Sequence, residues 1–149
     1  MGNNENFIGE VETIIIGGGQ AGLSVGRYLK EHGKKFLILE KSESIGSSWK
    51  NRYDSLTLDS FAKYSELEDF PFLGDPMQQM KRDDVVGYLQ AFAKHFDLRP
   101  QYSTEVMSVE KVPARNAFSI ADAGGDDKFI ITTSRGIYHS TFVVLATGP

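Results

Sequence analysis

Three glycines set between an apolar run and a helical pattern constrain this chain more than any other feature. Thr13-Ile14-Ile15-Ile16 is short, apolar and β-branched, which predicts a strand buried on both faces of a parallel sheet. The run breaks at Gly17-Gly18-Gly19-Gln20-Ala21-Gly22, a GxGxxG with its glycines at Gly17, Gly19 and Gly22. Each has a separate task. Gly17 permits the tight turn, Gly19 lets a pyrophosphate approach the backbone, and Gly22 lets the following helix pack close to the strands. In that helix Gly22, Val25, Gly26 and Leu29 share one face, and Gly33 sits where a left-handed C-terminal cap belongs. Phe36-Leu37-Ile38-Leu39 predicts the second strand, and Glu40 closes it 18 residues after Gly22.

A strand, a glycine turn, a helix and a second strand ended by an acid make a dinucleotide-binding arrangement. The helix offers unpaired first-turn amides, those of Gln20 and Ala21 among them, and the positive end of its dipole to phosphates. Glu40 stands about where a carboxylate accepts hydrogen bonds from a ribose diol, with Lys41 beside it. A GxGxxG alone is weak evidence, and the competing reading is a glycine-rich turn in an unrelated α/β domain. NAD and FAD both stay open, because Glu40 serves either ribose. A 2′-phosphate would be repelled by that carboxylate, which argues against NADP in this site.

A chain of 149 residues suits one domain with a real core, and 40% hydrophobic with 24% charged residues is an ordinary globular composition. The net charge of -4 gives no footprint for nucleic acid or an anionic membrane. No apolar run approaches a membrane span, and the first ten residues are too polar for a signal peptide, so the cytoplasm is the default compartment. Cysteine is absent, which removes disulfides, thiolate zinc sites and any cysteine redox relay from these residues. His32, His95 and His139 are widely spaced in no metal-ligand pattern, and each reads as a surface or packing residue.

Residues 1–10 read as a flexible leader with Phe7 and Ile8 as an anchor, and the domain proper as residues 11–149. After Glu40 a long polar and aromatic stretch reaches Pro76 with poor periodicity and recurring turn signals, and an ordered loop of that length usually carries function. Residues 81–96 predict an amphipathic helix, with Val85, Tyr88, Leu89, Phe92 and Phe96 as a core stripe and Arg82, Asp83 and Asp84 in the first turn. Residues 104–112, 117–121 and 129–133 predict a three-strand meander, with turns at 113–116 and 124–127. A buried apolar strand follows, Phe142-Val143-Val144-Leu145, ending in Ala146-Thr147-Gly148-Pro149. This order predicts an α/β fold of Rossmann type with three layers: a parallel sheet whose crossover is an antiparallel β-meander.

The segment Ile45-Gly46-Ser47-Ser48-Trp49-Lys50-Asn51-Arg52-Tyr53-Asp54-Ser55-Leu56-Thr57-Leu58 is similar to the G-G-x-W…R-Y-D-S-L-x-L pattern of class B flavin-dependent monooxygenases. That group takes in Baeyer–Villiger, N-hydroxylating and YUCCA-like enzymes and bacterial flavoproteins associated with cation efflux. Phe72-Leu73-Gly74-Asp75-Pro76 with Arg82-Asp83-Asp84-Val85-Val86-Gly87-Tyr88-Leu89, Thr104-Glu105-Val106, and the terminal Ala146-Thr147-Gly148 resemble further family motifs. The chain departs from the pattern at Ser47, where the family has a second glycine. If that position needs φ > 0, serine costs about 1 kcal/mol or more in strain.

The resemblance implies an FAD/NAD(P)-binding domain whose FAD would meet Gly46, Ser48, Trp49 and Leu56 through a flavin slot, and Val106 through the adenine. Gly148 would end its strand beside the pyrophosphate, next to Ala146 and Thr147. It also implies an enzyme in which NADPH reduces the flavin and dioxygen serves as oxidant on a small organic substrate. Trp49 also fits a plain core role, and Arg52 with Asp54 also fits a loop-bracing ion pair. No side chain stands out as an acid, base or nucleophile, so the catalytic residues are unknown. Neither a second GxGxxG nor the family's F-x-G-x-x-x-H motif is present. The resemblance therefore implies an N-terminal part, without the NADPH domain or the segment completing the FAD site, unable to turn over NADPH alone. Such a part would leave sheet edge and apolar surface free for self-association. A two-dinucleotide disulfide reductase, an NAD-dependent dehydrogenase and a non-catalytic nucleotide-binding module are the alternatives.

Overall fold

The computed structural model describes residues 6–113 and 128–148. Strand β1 (Phe7–Ile16) pairs in parallel with β2 (Phe36–Leu39) on one side and β7 (Gly136–Leu145) on the other. Antiparallel strands β6 (Lys128–Thr133) and β5 (Val106–Val112) extend the same sheet, giving the order β2-β1-β7-β6-β5. The chain is thus an α/β fold of Rossmann type whose antiparallel strands continue the parallel sheet. The expected strand at 117–121, most of the turn at 113–116 and the turn at 124–127 lie outside the described residues.

Thr13 to Ile16 are all buried, because helices cover one face of β1 and a second apolar cluster covers the other. Helix α1 (Gln20–Glu31) ends as its glycine predicts. Gly33 has φ +64, its amide donates to Lys30 O at 3.0 Å, and Lys34 N donates to Leu29 O at 2.8 Å, the paired bonds of a Schellman cap. Helix α3 (Arg82–His95) buries Val85, Tyr88, Leu89 and Phe92 against Leu23 of α1 and Ile38 of β2. Burying Phe92 completely stabilises the fold by about 1.5–3 kcal/mol. On the other face Ile14, Ile16 and Leu39 meet Ile131 of β6 and Tyr138 of β7.

Three readings need correction. Residues 7–10, assigned to a flexible leader, are the first four of β1. Phe7, Gly9 and Glu10 register against Ile137, Tyr138 and His139, and the Phe7 ring packs on His139 at 4.7 Å. The strand at the chain's end is not uniformly buried: Phe142 is 56% and Leu145 73% exposed, because no described element covers those side chains. The stretch after Glu40 is also more regular than its periodicity suggested. It holds a single-turn helix α2 (Ser47–Lys50), strand β3 (Thr57–Phe61), a 3-10 turn (Ala62–Tyr64) and strand β4 (Gln79–Lys81), which pairs back on β3. With only two registered pairs between β3 and β4, no alternating pattern is long enough to read.

Candidate functional site

The glycine turn is tied down on two sides. Gly17 N donates to Leu39 O at 2.8 Å, and Ala146 N donates to Ile16 O at 2.9 Å, so the turn sits where β1, β2 and β7 all end. Gly17 has φ +110, and a Cβ there would lie 2.2 Å from Ala146 O. A Cβ at Gly22 would lie 1.9 Å from Gly17 O, so helix and turn touch backbone to backbone. Gly19 differs: nothing lies within 4 Å of where its Cβ would be. It opens α1 as a cap with no side-chain hydrogen bond, and the first turn holds no acidic residue. The positive end of the helix, with the amides of Gln20 and Ala21, is left for an anion.

Glu40 is half-buried and already engaged. Its Oε2 accepts from Gly18 N at 2.7 Å and its Oε1 from Ser42 N at 2.8 Å. The backbone around it is bracketed by the segment after α3: Gln101 N donates to Ile38 O at 2.8 Å, Glu40 N to Gln101 O at 2.9 Å, and Thr104 N to Glu40 O at 3.0 Å. Gln101 therefore acts as one further parallel rung beside β2. Tyr102, in the same segment, has its hydroxyl pKa raised by burial and by the nearby Glu40 carboxylate. Lys41 is exposed next to this cluster.

On the helix-covered face a cavity of about 320 Å³ reaches the start of α1 at Gln20. Trp49 lines it with Leu58 of β3, Met80 of β4, Leu67, and Tyr88 and Leu89 of α3. Burial raises the Tyr88 hydroxyl pKa, which keeps it neutral and able both to donate and to accept. Trp49 also packs on the main core, so its packing role and its place at the cavity coexist. Its loop bends at Gly46, which has φ +84 and lies against Val86. Ser47 carries no such strain: it begins α2, and its hydroxyl donates to Ser44 O at 2.8 Å.

Most of the predicted site residues fall into two groups, with Leu56 and Val106 apart from both. Gly17, Gly19, Gln20, Ala21, Gly22, Glu40, Ala146, Thr147 and Gly148 gather at the carboxyl ends of β1, β2 and β7. Gly46, Ser48 and Trp49 lie on the α2 loop; Trp49 lines the cavity, Gly46 is buried against Val86 and Ser48 is exposed. Leu56 is half-buried outside the cavity; Leu58, two residues on, lines it instead. Val106 starts β5 and packs on the opposite face from Trp49, beside Ile14, Ile16 and Leu39. Gly148 has φ +75, and no atom crowds its absent side chain. Arg52 and Asp54 do not pair with each other. Arg82 holds both, donating from Nη1 to Asp54 Oδ1 at 2.5 Å and to Arg52 O at 2.9 Å.

Leu58, Gln101, Tyr102 and Tyr88 are additions. Leu58 sits in the short β3, where no alternation is long enough to read, whereas Tyr88 was legible from the α3 stripe, which a core reading absorbed. Gln101 and Tyr102 carry no local signal, because their places depend on a pairing with β2 some sixty residues earlier. Among the described residues no cluster of His, Asp and Glu is arranged to hold a metal ion. The three histidines contact aromatic rings: Tyr28 for His32, Phe70 and Phe96 for His95, and Phe7 for His139.

Residues 14–149 match the family described as Pyridine nucleotide-disulphide oxidoreductase. The chain is 40% identical over 138 residues to an uncharacterized oxidoreductase, CzcO, of Bacillus subtilis, covering 93% of this chain and 36% of that protein. It is 32% identical to the indole-3-pyruvate monooxygenase YUCCA4 of Oryza sativa, covering 91% of this chain and 32% of that protein. Among solved structures it superposes on a flavin-containing monooxygenase from Stenotrophomonas maltophilia with TM-score 0.79 and 26% identity, over 95% of this chain and 39% of the other. A bacillithiol disulfide reductase from Staphylococcus aureus gives TM-score 0.79 and 30% identity, again over 95% and 39%. The chain thus spans about a third of the length of the curated relatives it matches. Two of these relatives, YUCCA4 and the Stenotrophomonas maltophilia protein, are monooxygenases by name, in line with the resemblance carried by the Trp49 loop and the terminal Ala-Thr-Gly; the bacillithiol disulfide reductase is not.

Proposed function

The chain belongs to the pyridine nucleotide-disulphide oxidoreductase family, and from that premise we propose that residues 11–149 are the FAD-binding portion of a flavin-dependent, NAD(P)H-using monooxygenase or oxidoreductase. The observation that carries this reading is the cavity reaching the N-terminus of α1 at Gln20 with Trp49 in its wall. It lets one ligand lay a pyrophosphate on the helix end and an aromatic ring system in an apolar slot. NAD has no flavin to fill that slot.

The residues present fit FAD. The open space at Gly19 admits a pyrophosphate against the amides of Gln20 and Ala21, in a turn shaped by Gly17 and Gly22. Glu40, with two of its lone pairs used by Gly18 and Ser42, keeps others for the adenosine ribose, and Lys41 lies beside it. Trp49 and Leu58 would line the flavin side, with Gly46 and Ser48 on the loop that carries Trp49, Val106 would meet the adenine, and Ala146, Thr147 and Gly148 the middle of the ligand. Bound FAD supplies the redox chemistry; the chain supplies placement, charge balance and exclusion of water. The substrate in the whole protein is a small organic molecule, and the NAD(P)H site is formed by residues beyond these motifs. We place the protein in the cytoplasm; no helix among the described residues is long and apolar enough to cross a membrane.

Calorimetric titration of the purified chain with FAD, NAD and NADP tests this reading. One saturable FAD site with no comparable NAD or NADP site supports it. NAD binding without FAD binding would turn the assignment toward a dehydrogenase. The matched segment holds no cysteine, so any dithiol relay like that of a disulfide reductase would need residues outside it.

A further inference from the structure

Leu67, which lines the cavity together with Trp49, belongs to a turn that is gripped from both sides. Leu67 and Phe70 bridge as the ends of a four-residue turn, with Phe70 N donating to Leu67 O at 3.2 Å. At the turn's tip Asp69 has φ +57, a conformation that side chains other than glycine adopt at a cost. From inside, one side chain closes the turn: Tyr88 Oη accepts from Leu67 N and donates to Phe70 O, both at 2.6 Å. From outside, Arg27 of α1 reaches both tip carboxylates, Glu68 and Asp69. Tyr28 Oη adds a bond to Glu68 Oε2 at 2.7 Å. Arg27 is 8% exposed, and its guanidinium lies 5.1 Å from the ring centre of Phe96, which caps the C-terminus of α3. A buried arginine stacked on one helix and anchored on another has little freedom, so the turn it grips is fixed relative to both.

We propose that Tyr88 and Arg27 are positioning residues for the cavity: they hold the 67–70 turn so that Leu67 keeps its place in the wall that Trp49 also lines. This rests on the reading of the cavity as the flavin slot, but its geometric part does not need a ligand. Leu67, Tyr88 and Trp49 line the same space, so loosening the turn changes the packing and hydration around Trp49. Trp49 is the single tryptophan of the chain and reports that change directly.

The test compares wild type with Tyr88→Phe and Arg27→Met, reading Trp49 emission without ligand and then flavin absorption and affinity during FAD titration. Tyr88→Phe keeps the ring and loses both hydrogen bonds; Arg27→Met keeps the stem and loses the charge. The expected result is a red-shifted Trp49 emission in both variants at temperatures where far-ultraviolet circular dichroism shows them folded. FAD affinity should fall about tenfold, with the flavin band losing its resolved shoulder. Arg27→Lys should restore part of both signals, since a single ammonium still reaches one tip carboxylate. If both variants merely melt earlier, with wild-type Trp49 emission and wild-type FAD binding while folded, the pair is structural and the proposal is overturned. If wild type itself rejects FAD, the flavin reading fails, and the shift in ligand-free Trp49 emission still decides whether the turn is clipped.

Discussion

Glu40 Oε2 accepts a hydrogen bond from Gly18 N at 2.7 Å, joining the end of the second strand to the middle of the glycine turn. The turn is therefore held in shape by the carboxylate proposed to receive the ribose. Replacing Glu40 by Gln removes the charge from both of its amide contacts. A hydrogen bond to a charged group contributes about 1.5–3 kcal/mol. Glu40→Gln should weaken FAD binding by about 10- to 100-fold, measured by calorimetry, and lower the melting temperature as well. Weaker binding with unchanged melting would mean that Glu40 serves the ligand without holding the turn.

Gly19 and Gly22 separate ligand space from packing space. Gly22→Ala drives a Cβ to 1.9 Å from a backbone oxygen, and should cost about 3 kcal/mol or more in urea unfolding. Gly19 has φ -81 and no neighbour within 4 Å of its would-be Cβ. Gly19→Ala should unfold within about 1 kcal/mol of wild type, yet lose FAD affinity at least about tenfold. Unimpaired FAD binding by Gly19→Ala would place the pyrophosphate elsewhere.

Ser47 offers a check on the loop's geometry. The left-handed residue there is Gly46, so a glycine at 47 relieves nothing and removes the bond to Ser44 O. Ser47→Gly should lower stability by about 1–2 kcal/mol. Gly46→Ala should also destabilise, by about 1–2 kcal/mol, because φ +84 disfavours a side chain and Val86 lies 3.0 Å away. A stabilised Ser47→Gly would contradict this account of the bend.

His139 sets a pH dependence. Burial lowers its pKa below the ordinary 6.5, while Glu10 raises it and Lys128 lowers it. The folded state therefore favours neutral imidazole, and the unfolded chain takes up a proton first as the pH falls. Stability from this group is present above about pH 6.5 and declines as the pH drops through the window below it. Melting temperatures from about pH 8 to about pH 5.5 should fall more steeply for wild type than for His139→Gln. Parallel curves would remove His139 from the linkage.

The glycine turn, its flanking strands, α1 with its Gly33 cap and the α3 stripe were legible because each is local and strongly periodic. Glu40 was legible as the end of a strand, but its bond to Gly18 was not, since a 22-residue separation leaves no pattern. Arg82, gripping Asp54 and the Arg52 carbonyl from 28 and 30 residues away, was hidden by an adjacent pair of opposite charges that suggested each other. Phe142 and Leu145 misled for another reason: apolar sequence predicts burial only where something covers it. Gln101 shows the general limit. A rung set by a tertiary partner has no period of its own.

The most direct measurement is energy transfer from Trp49 to added FAD. With the flavin in the proposed slot, its ring lies against the only tryptophan of the chain, so Trp49 emission should be quenched almost completely, saturating at one FAD per chain. A control with NAD should leave most of the emission intact. Saturable FAD binding with Trp49 emission largely preserved would put the flavin outside this cavity and contradict the account.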